Sequence, residues 1–168
     1  SLTYLSYSSV AWGDYDNDGD LDLFVSNDND QNEFLYNNNG NGTFTKVTTG
    51  DIVNSGGRSN GSTWGDYDLD GDLDCFMINN SPMPINNLGY ENKRDLAEAE
   101  WPVSEFLKGG GDHLFRNDNN HFTEVTKQAG IHGTLVSFGL GVAVSDVNND
   151  GYPDVFVAND SYERDYLY

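Results

Sequence analysis

The stretch "WGDYDNDGDLDLFV", residues 12–25, places five aspartates at alternate positions from Asp14 to Asp22. Two carboxylates about 4 Å apart repel each other by roughly 4 kcal/mol at an effective dielectric near 20. A loop that gathers four carboxylates therefore needs a cation to hold them together.

The aspartates follow the ligand order of an EF-hand calcium loop. Counted from Asp14, carboxylates stand at positions 1, 3, 5 and 9, Gly19 stands at position 6 and Asp20 at position 7. An EF-hand uses side chains at positions 1, 3 and 5, a backbone carbonyl at 7 and a glycine at 6. Here the last acid comes at position 9 instead of 12, so the loop can join two strands. All-oxygen ligation favours calcium over zinc or copper, and over magnesium, which prefers a stricter octahedral geometry.

The loop and the sequence around it recur along the chain. "WGDYDNDGDLD" (12–22) returns as "WGDYDLDGDLD" (64–74) and more loosely as "VSDVNNDGYPD" (144–154). We call residues 14–22, 66–74 and 146–154 loops 1, 2 and 3. The flanks repeat too, since "LFVSNDNDQNEFLY" (23–36) matches "VFVANDSYERDYLY" (155–168). The repeat is therefore a structural unit and not an isolated loop.

Each unit reads as four short strands, "SSVAWGDYD", "LFVSN", "EFLYN" and "TFTKVT", with a turn at "NNGNG". Four-stranded units of about 50 residues are typical of β-propeller blades, which bury their faces against neighbouring blades. We expect an all-β chain of about three blades from a larger propeller: blade 1 at about 1–58, blade 2 at about 59–134 and an incomplete blade 3 at about 135–168. The remaining blades are then expected partners.

The spacing between the loops predicts an insertion at 80–111. Loops 1 and 2 start 52 residues apart, whereas loops 2 and 3 start 80 residues apart. The excess holds three of the four prolines and the helix-favouring run "KRDLAEAEW" (93–101). We therefore expect a loop with one short helix.

The composition narrows the class of partner. The formal net charge is -20, with only eight Lys and Arg residues, which argues against binding to nucleic acid or to an anionic membrane. The single cysteine allows no internal disulfide, and the three histidines lack zinc-site spacing. No apolar run is long enough for a membrane span and no signal-peptide pattern begins at Ser1, so we expect neither membrane insertion nor an export signal within this sequence.

The units resemble the FG-GAP or VCBS class of calcium-binding propeller repeats, which includes the blades of the integrin α-subunit head. "WGDYDNDGDLDLFVSN" and "GVAVSDVNNDGYPDVFVAND" are similar to secreted proteins that carry an ASPIC/UnbV-type C-terminal region. The resemblance implies a secreted or cell-surface protein with about three calcium ions. The implied ligands are Asp14, Asp16, Asp18, Asp20 and Asp22 in loop 1; Asp66, Asp68, Asp70, Asp72 and Asp74 in loop 2; and Asp146, Asn148, Asp150, Tyr152 and Asp154 in loop 3. Position 7 would contribute its carbonyl, and loop 3 departs from the pattern at positions 3, 7 and 8.

Two classes of function stay open. The first is a non-enzymatic calcium-binding module for adhesion to a protein or glycan. The alternative is the propeller domain of a calcium-dependent polysaccharide lyase, which would need a basic residue beside the metal, and no Lys, Arg or His lies in any loop. Three in-phase copies argue against simple solvated acidic loops. Dockerins need flanking helices and thrombospondin-type repeats need cysteines, and the sequence lacks both patterns.

Several apolar residues are expected to pack the blades. Position 8 leucines Leu21 and Leu73 should point into the sheet. Blade packing is also expected for Trp12, Trp64, Phe24, Phe76, Phe156 and Cys75, and the histidines should lie at the surface or in turns.

Overall fold

The computed structural model describes residues 9–28, 31–80, 100, 111–132, 138–160 and 164–168. Apart from Glu100, the predicted helix at 93–101 lies outside these residues, as does most of the predicted insertion. Within them, eleven strands and one short 3-10 helix at Asp51–Val53 form the secondary structure. The predicted all-β fold class is confirmed.

The strands form three antiparallel sheets in chain order. Sheet 1 contains β1 (Ser9–Gly13), β2 (Asp22–Ser26), β3 (Phe34–Asn38) and β4 (Phe44–Lys46). Sheet 2 contains β5 (Ser59–Gly65), β6 (Asp74–Asn79), β7 (His113–Asn117) and β8 (Phe122–Glu124). Sheet 3 contains β9 (Gly139–Ser145), β10 (Asp154–Asn159) and β11 (Tyr166–Leu167). Each sheet is an up-and-down meander, as expected of propeller-blade repeats, and each acidic loop joins the first two strands of its sheet.

The hydrophobic core lies in the two joints between the sheets. The first joint lies between sheets 1 and 2, and the second joint lies between sheets 2 and 3. Strand β6 is buried on both faces because its side chains alternate between these joints. Cys75 and Met77 belong to the cluster shared with sheet 1, whereas Phe76 and Ile78 belong to the cluster shared with sheet 3. The first strands of neighbouring sheets also contact each other, β1 with β5 and β5 with β9. Each blade thus completes its core only by packing on its neighbour.

Trp64 is the central aromatic residue of the first joint. It stacks on Tyr15 of loop 1 at a ring-centroid distance of 6.3 Å and meets Phe24 of sheet 1 edge-on at 5.9 Å. Its third aromatic neighbour is Phe122 of its own sheet, at 6.0 Å. Gly13 lies directly against the indole, since a Cβ at this position would be 2.7 Å from Trp64 Cδ1.

The packing predictions have mixed outcomes. Cys75, Phe24 and Phe76 are buried, as predicted, and Trp64 packs against the core. The prediction for Leu21 is wrong, because its side chain is 57% exposed at the end of the loop. Trp12 and Phe156 are also exposed, at 54% and 43%, because they lie on the outer faces of sheets 1 and 3 and not in a joint.

At the end of the sheets away from the acidic loops, a buried carboxyl group is hydrogen-bonded across the first joint. Glu33, just before β3, is 1% exposed and accepts hydrogen bonds from the hydroxyl of Ser59 in sheet 2 and from the backbone N–H of Asn27. Burial raises the pKa of Glu33 to about 7, although the hydrogen bonds from Ser59 and Asn27 and the nearby His113 oppose the shift.

Candidate metal centre

The three acidic loops share one backbone conformation. Residues at position 4 have φ values of 59°, 61° and 60° in loops 1, 2 and 3, and the glycines at position 6 have φ values of 94°, 96° and 93°. A Cβ on Gly19, Gly71 or Gly151 would meet no atom within 4 Å. These glycines are therefore required for their left-handed backbone and not for lack of space.

The aspartate at position 1 organises each loop. In loop 1, Asp14 Oδ1 accepts a hydrogen bond from the N–H of Asp18 at 3.1 Å, and Asp14 Oδ2 accepts one from the N–H of Gly19 at 3.0 Å. The same pair of bonds is made by Asp66 and by Asp146, at 2.9 to 3.1 Å. Each oxygen keeps a second lone pair, so these bonds leave the carboxylate able to bind a cation.

The carboxylates of positions 3 and 5 complete the turn. In loop 1 the N–H of Asp20 donates to Asp18 Oδ1 at 2.9 Å, and the N–H of Asp18 donates to Asp16 Oδ1 at 3.3 Å. The Asn37 amide, from β3, donates to the other oxygen of Asp16. The loop therefore turns its first three acidic side chains toward one another.

Two groups of carboxylates are close enough to share one ion. Oxygens of Asp14, Asp16 and Asp18 lie within 4.8 Å of one another, and the same holds for oxygens of Asp66, Asp68 and Asp74. Two ligands of one calcium ion, at 2.3 to 2.6 Å from it, lie at most about 5 Å apart. Both groups thus fit a hard cation. Among the described residues, no third group of this kind occurs, so loop 3 does not bring Asp146, Asp150 and Asp154 together in the same way.

The aspartate at position 9 closes the loop onto the sheet. Asp22 is fully buried and accepts hydrogen bonds from the N–H groups of Tyr15 at 3.1 Å and Asn38 at 2.8 Å. Asp74 repeats both contacts, with Tyr67 at 2.9 Å and Asn117 at 2.8 Å. Asp22 does not join the group in loop 1, whereas Asp74 does join the group in loop 2.

The predicted position 7 ligands use their side chains elsewhere. Asp20 lies against the turn at Gly40, and Asp72 accepts a hydrogen bond from the N–H of Asn119 at 2.8 Å. Asp72 also accepts a bond from the Asn17 amide of loop 1. These contacts leave the backbone carbonyl as the atom that position 7 can offer a cation. In loop 3, Tyr152 exposes its side chain and Pro153 follows it.

Burial, and to a smaller extent the neighbouring acids, raise the pKa of several of these aspartates. Burial raises the pKa of Asp22 and raises that of Asp74 to about 6. Burial, with the nearby Asp70, also raises the pKa of Asp68. A nearby cation would favour the charged forms and reverse these shifts.

Two asparagines that hold the loops in place were not predicted from the sequence. Asn38 and Asn117 stand three residues after matching leucines, Leu35 and Leu114, so the repeat alignment could have identified them. Their amides donate to the position 8 carbonyls of loops 1 and 2 at 3.1 and 3.2 Å. This contact holds the end of each loop on the third strand.

The family model of the FG-GAP-like repeat matches residues 14–77 and 103–157. The chain belongs to the FG-GAP-like repeat family. No curated protein matches the chain significantly. The match covers the repeats that carry all three acidic loops, and the likeness to ASPIC/UnbV-associated proteins stays a prediction. The described part of this FG-GAP-like chain contains no helix with the length and hydrophobicity of a membrane span.

Proposed function

We propose that this chain is a calcium-binding extracellular repeat module that binds a protein or glycan ligand. Calcium occupies the acidic loops, about three ions in all, and holds the first two strands of each blade at a fixed angle. The ligands are the aspartates at positions 1, 3, 5 and 9 of loops 1 and 2, with the carbonyl of position 7. In loop 3, Asn148 replaces the acid at position 3.

The observation that carries the proposal is the grouping of three carboxylates in each of loops 1 and 2. Three like charges within 4.8 Å are costly without a cation, and every donor in the group is an oxygen. FG-GAP-like repeats are typical of extracellular proteins, where millimolar calcium is compatible with the weaker dissociation constants of extracellular modules, about 10⁻⁴ to 10⁻³ M.

The experiment compares two neighbouring aspartates of loop 1 by calorimetric calcium titration. Asp18→Asn replaces a proposed carboxylate ligand with a neutral amide oxygen and keeps an oxygen that can accept the Asp20 N–H. Asp20→Asn removes the same charge from the same loop but keeps the carbonyl proposed as the ligand. We expect Asp18→Asn to weaken one site, because the number of charged ligands tunes calcium affinity, and Asp20→Asn to change its affinity little.

Equal effects of the two substitutions would mean that calcium affinity depends only on the net charge of the loop. Absence of calcium binding by the unsubstituted chain would overturn the proposal. For the ligand, we expect binding to a protein or glycan array that is lost on chelation.

We further propose that another repeat unit covers the outer face of sheet 1. Trp12 and Phe44 form the same pair on this face as Trp64 and Phe122 form in the first joint, with ring centroids 6.4 Å apart. The pair in the joint is covered by Tyr15 and Phe24, so that Phe122 is only 3% exposed, whereas Phe44 is 46% exposed. A preceding blade with equivalent aromatic residues would bury Trp12 in the same way.

Acrylamide quenching tests this packing. The contribution of Trp12 is obtained by comparison with a Trp12→Phe variant. We expect free quenching of Trp12 in the 168-residue chain and protection in a longer chain that includes the neighbouring repeat unit. Equal quenching of Trp12 in the two chains would contradict the proposal that another repeat unit covers this face.

A further inference from the structure

Loops 1 and 2 are joined by direct hydrogen bonds across the first joint. The side-chain amide of Asn17, at position 4 of loop 1, donates to the Gly71 carbonyl at 3.2 Å and to Asp72 Oδ1 at 2.9 Å. Gly71 and Asp72 are positions 6 and 7 of loop 2. One side chain of the first loop thus contacts the turn of the second.

A second amide connects the same two loops. Asn117, the last residue of β7, is fully buried and donates to the Tyr15 carbonyl of loop 1 at 2.8 Å. The same amide group donates to the Leu73 carbonyl of loop 2 at 3.2 Å. The Asn117 amide therefore bonds the beginning of loop 1 and the end of loop 2, whereas Asn17 connects the two turns.

These contacts lie among the proposed ligands, and Asp72 would itself offer its backbone carbonyl to a cation. Asn17 stands between Asp16 and Asp18, and Asp72 stands between Asp70 and Asp74. A cation that fixes Asp16 and Asp18 also fixes the backbone of Asn17, and through its amide it restrains the turn of loop 2. A second cation then finds loop 2 already partly ordered and loses less conformational entropy on binding.

Charge acts in the opposite direction. A cation in loop 1 lowers the negative potential at loop 2 and so disfavours a second cation. This effect is screened by salt, with a Debye length of about 8 Å at 0.15 M ionic strength, whereas a hydrogen-bonded contact is much less affected. Cooperativity that originates in the amide contacts should therefore persist or increase as salt is added.

Within the described part of the chain, loop 2 makes no equivalent hydrogen bond to loop 3. Its position 4 residue is Leu69, which adopts a φ of 61° but has no side-chain amide. We propose that loops 1 and 2 bind calcium as a positively cooperative pair coupled through Asn17, and that loop 3 binds independently of this link. This inference rests on the proposed calcium sites.

The test is a thermodynamic cycle measured by calcium titration at 0.15 M and 0.5 M salt. Asp16→Asn weakens loop 1, and the affinity of loop 2 is measured with and without this change in the Asn17, Asn17→Leu and Asn17→Gly backgrounds. Leucine is the residue that loop 2 itself carries at this φ, and glycine tolerates the same backbone. Asn149→Leu makes the matched change in loop 3.

We expect Asp16→Asn to weaken loop 2 at least about fivefold when Asn17 is present, which is the lower end of typical allosteric coupling. The coupling should approach unity in both Asn17 variants and stay unchanged in Asn149→Leu. Coupling that survives in both Asn17 variants, or independent sites in the unsubstituted chain, would overturn the inference while leaving calcium binding intact. If no variant binds calcium, the proposed function fails and this inference fails with it.

Discussion

The contact between Gly13 and Trp64 allows the first joint to be tested with one added methyl group. In Gly13→Ala the new Cβ would lie 2.7 Å from Trp64 Cδ1 and 2.8 Å from Cγ, closer than carbon atoms can approach without displacement. The indole has little room to move because Tyr15, Phe24 and Phe122 surround it. Overpacking of this kind costs about 1 to 3 kcal/mol.

Two other glycines provide a graded comparison. Gly65 is the equivalent residue of sheet 2, and its Cβ would lie 3.1 Å from Val144 Cγ1, a smaller side chain that can shift by a few tenths of an ångström. Gly141 in β9 would place its Cβ in open space. Gly141→Ala should be neutral or should stabilise by about 0.4 to 1 kcal/mol, because alanine reduces the entropy of the unfolded chain.

Urea denaturation at constant calcium measures the three free energies of unfolding. We expect Gly13→Ala to be the least stable, Gly65→Ala to be intermediate and Gly141→Ala to be the most stable. If Gly13→Ala is as stable as Gly141→Ala, then Trp64 is not confined in the first joint and the description of that core is wrong.

Three further predictions concern calcium and pH. Millimolar calcium should stabilise by about 0.4 to 2.7 kcal/mol per site for dissociation constants of about 10⁻³ to 10⁻⁵ M, so a chelator should lower the melting temperature; an unchanged value would refute this. Loop 3 should be the weakest site, and Asn148→Asp should tighten it in a calcium titration, whereas an unchanged affinity would mean that rigidity sets the order. The pKa of Glu33 is about 7 in the folded chain and near 4.5 in the unfolded chain. The contribution of this carboxyl group to the free energy of unfolding is therefore fully present below pH 4.5 and is lost as the pH rises through 7. Unfolding free energies of the unsubstituted chain and Glu33→Gln should therefore diverge by up to about 3 kcal/mol between pH 4.5 and 8, in favour of the variant at high pH, and a constant difference would contradict the assignment.

The repeat pattern predicted the blades because period and strand alternation are local properties of sequence. The position of loop 1 between β1 and β2 follows directly from "WGDYDNDGDLDLFV", and strands β3 and β4 follow from "EFLYN" and "TFTKVT". Exposure could not be predicted in the same way, because it depends on which neighbour a residue meets. Trp12 and Trp64 occupy equivalent positions, yet only Trp64 has a sheet packed over it.

The roles of individual residues in the acidic loops also could not be predicted from the sequence alone. Ligand spacing identified the acidic positions, but the roles of Asp22 and Asp20 depend on partners from β3 and from the turn that follows it. His113 provides another example, since its contact with Glu124 at 2.7 Å arises from the pairing of β7 with β8 and not from sequence spacing. Contacts of this kind arise from strand pairing within a repeat, and the order of ligand residues in a loop does not reveal them.

The two joints differ in a way that links packing to the metal loops. The first joint contains the wedged Trp64, and there two amides connect loops 1 and 2. The second joint has Val144 at the position of Trp64, and Leu69 replaces the donor Asn17. The residues that make the first joint bulkier thus occur together with those that connect its loops, so a change that loosens this joint should weaken both its stability and its calcium coupling. Packing between blades and binding within loops are therefore parts of one structural unit, and the first joint is where both are most strongly developed.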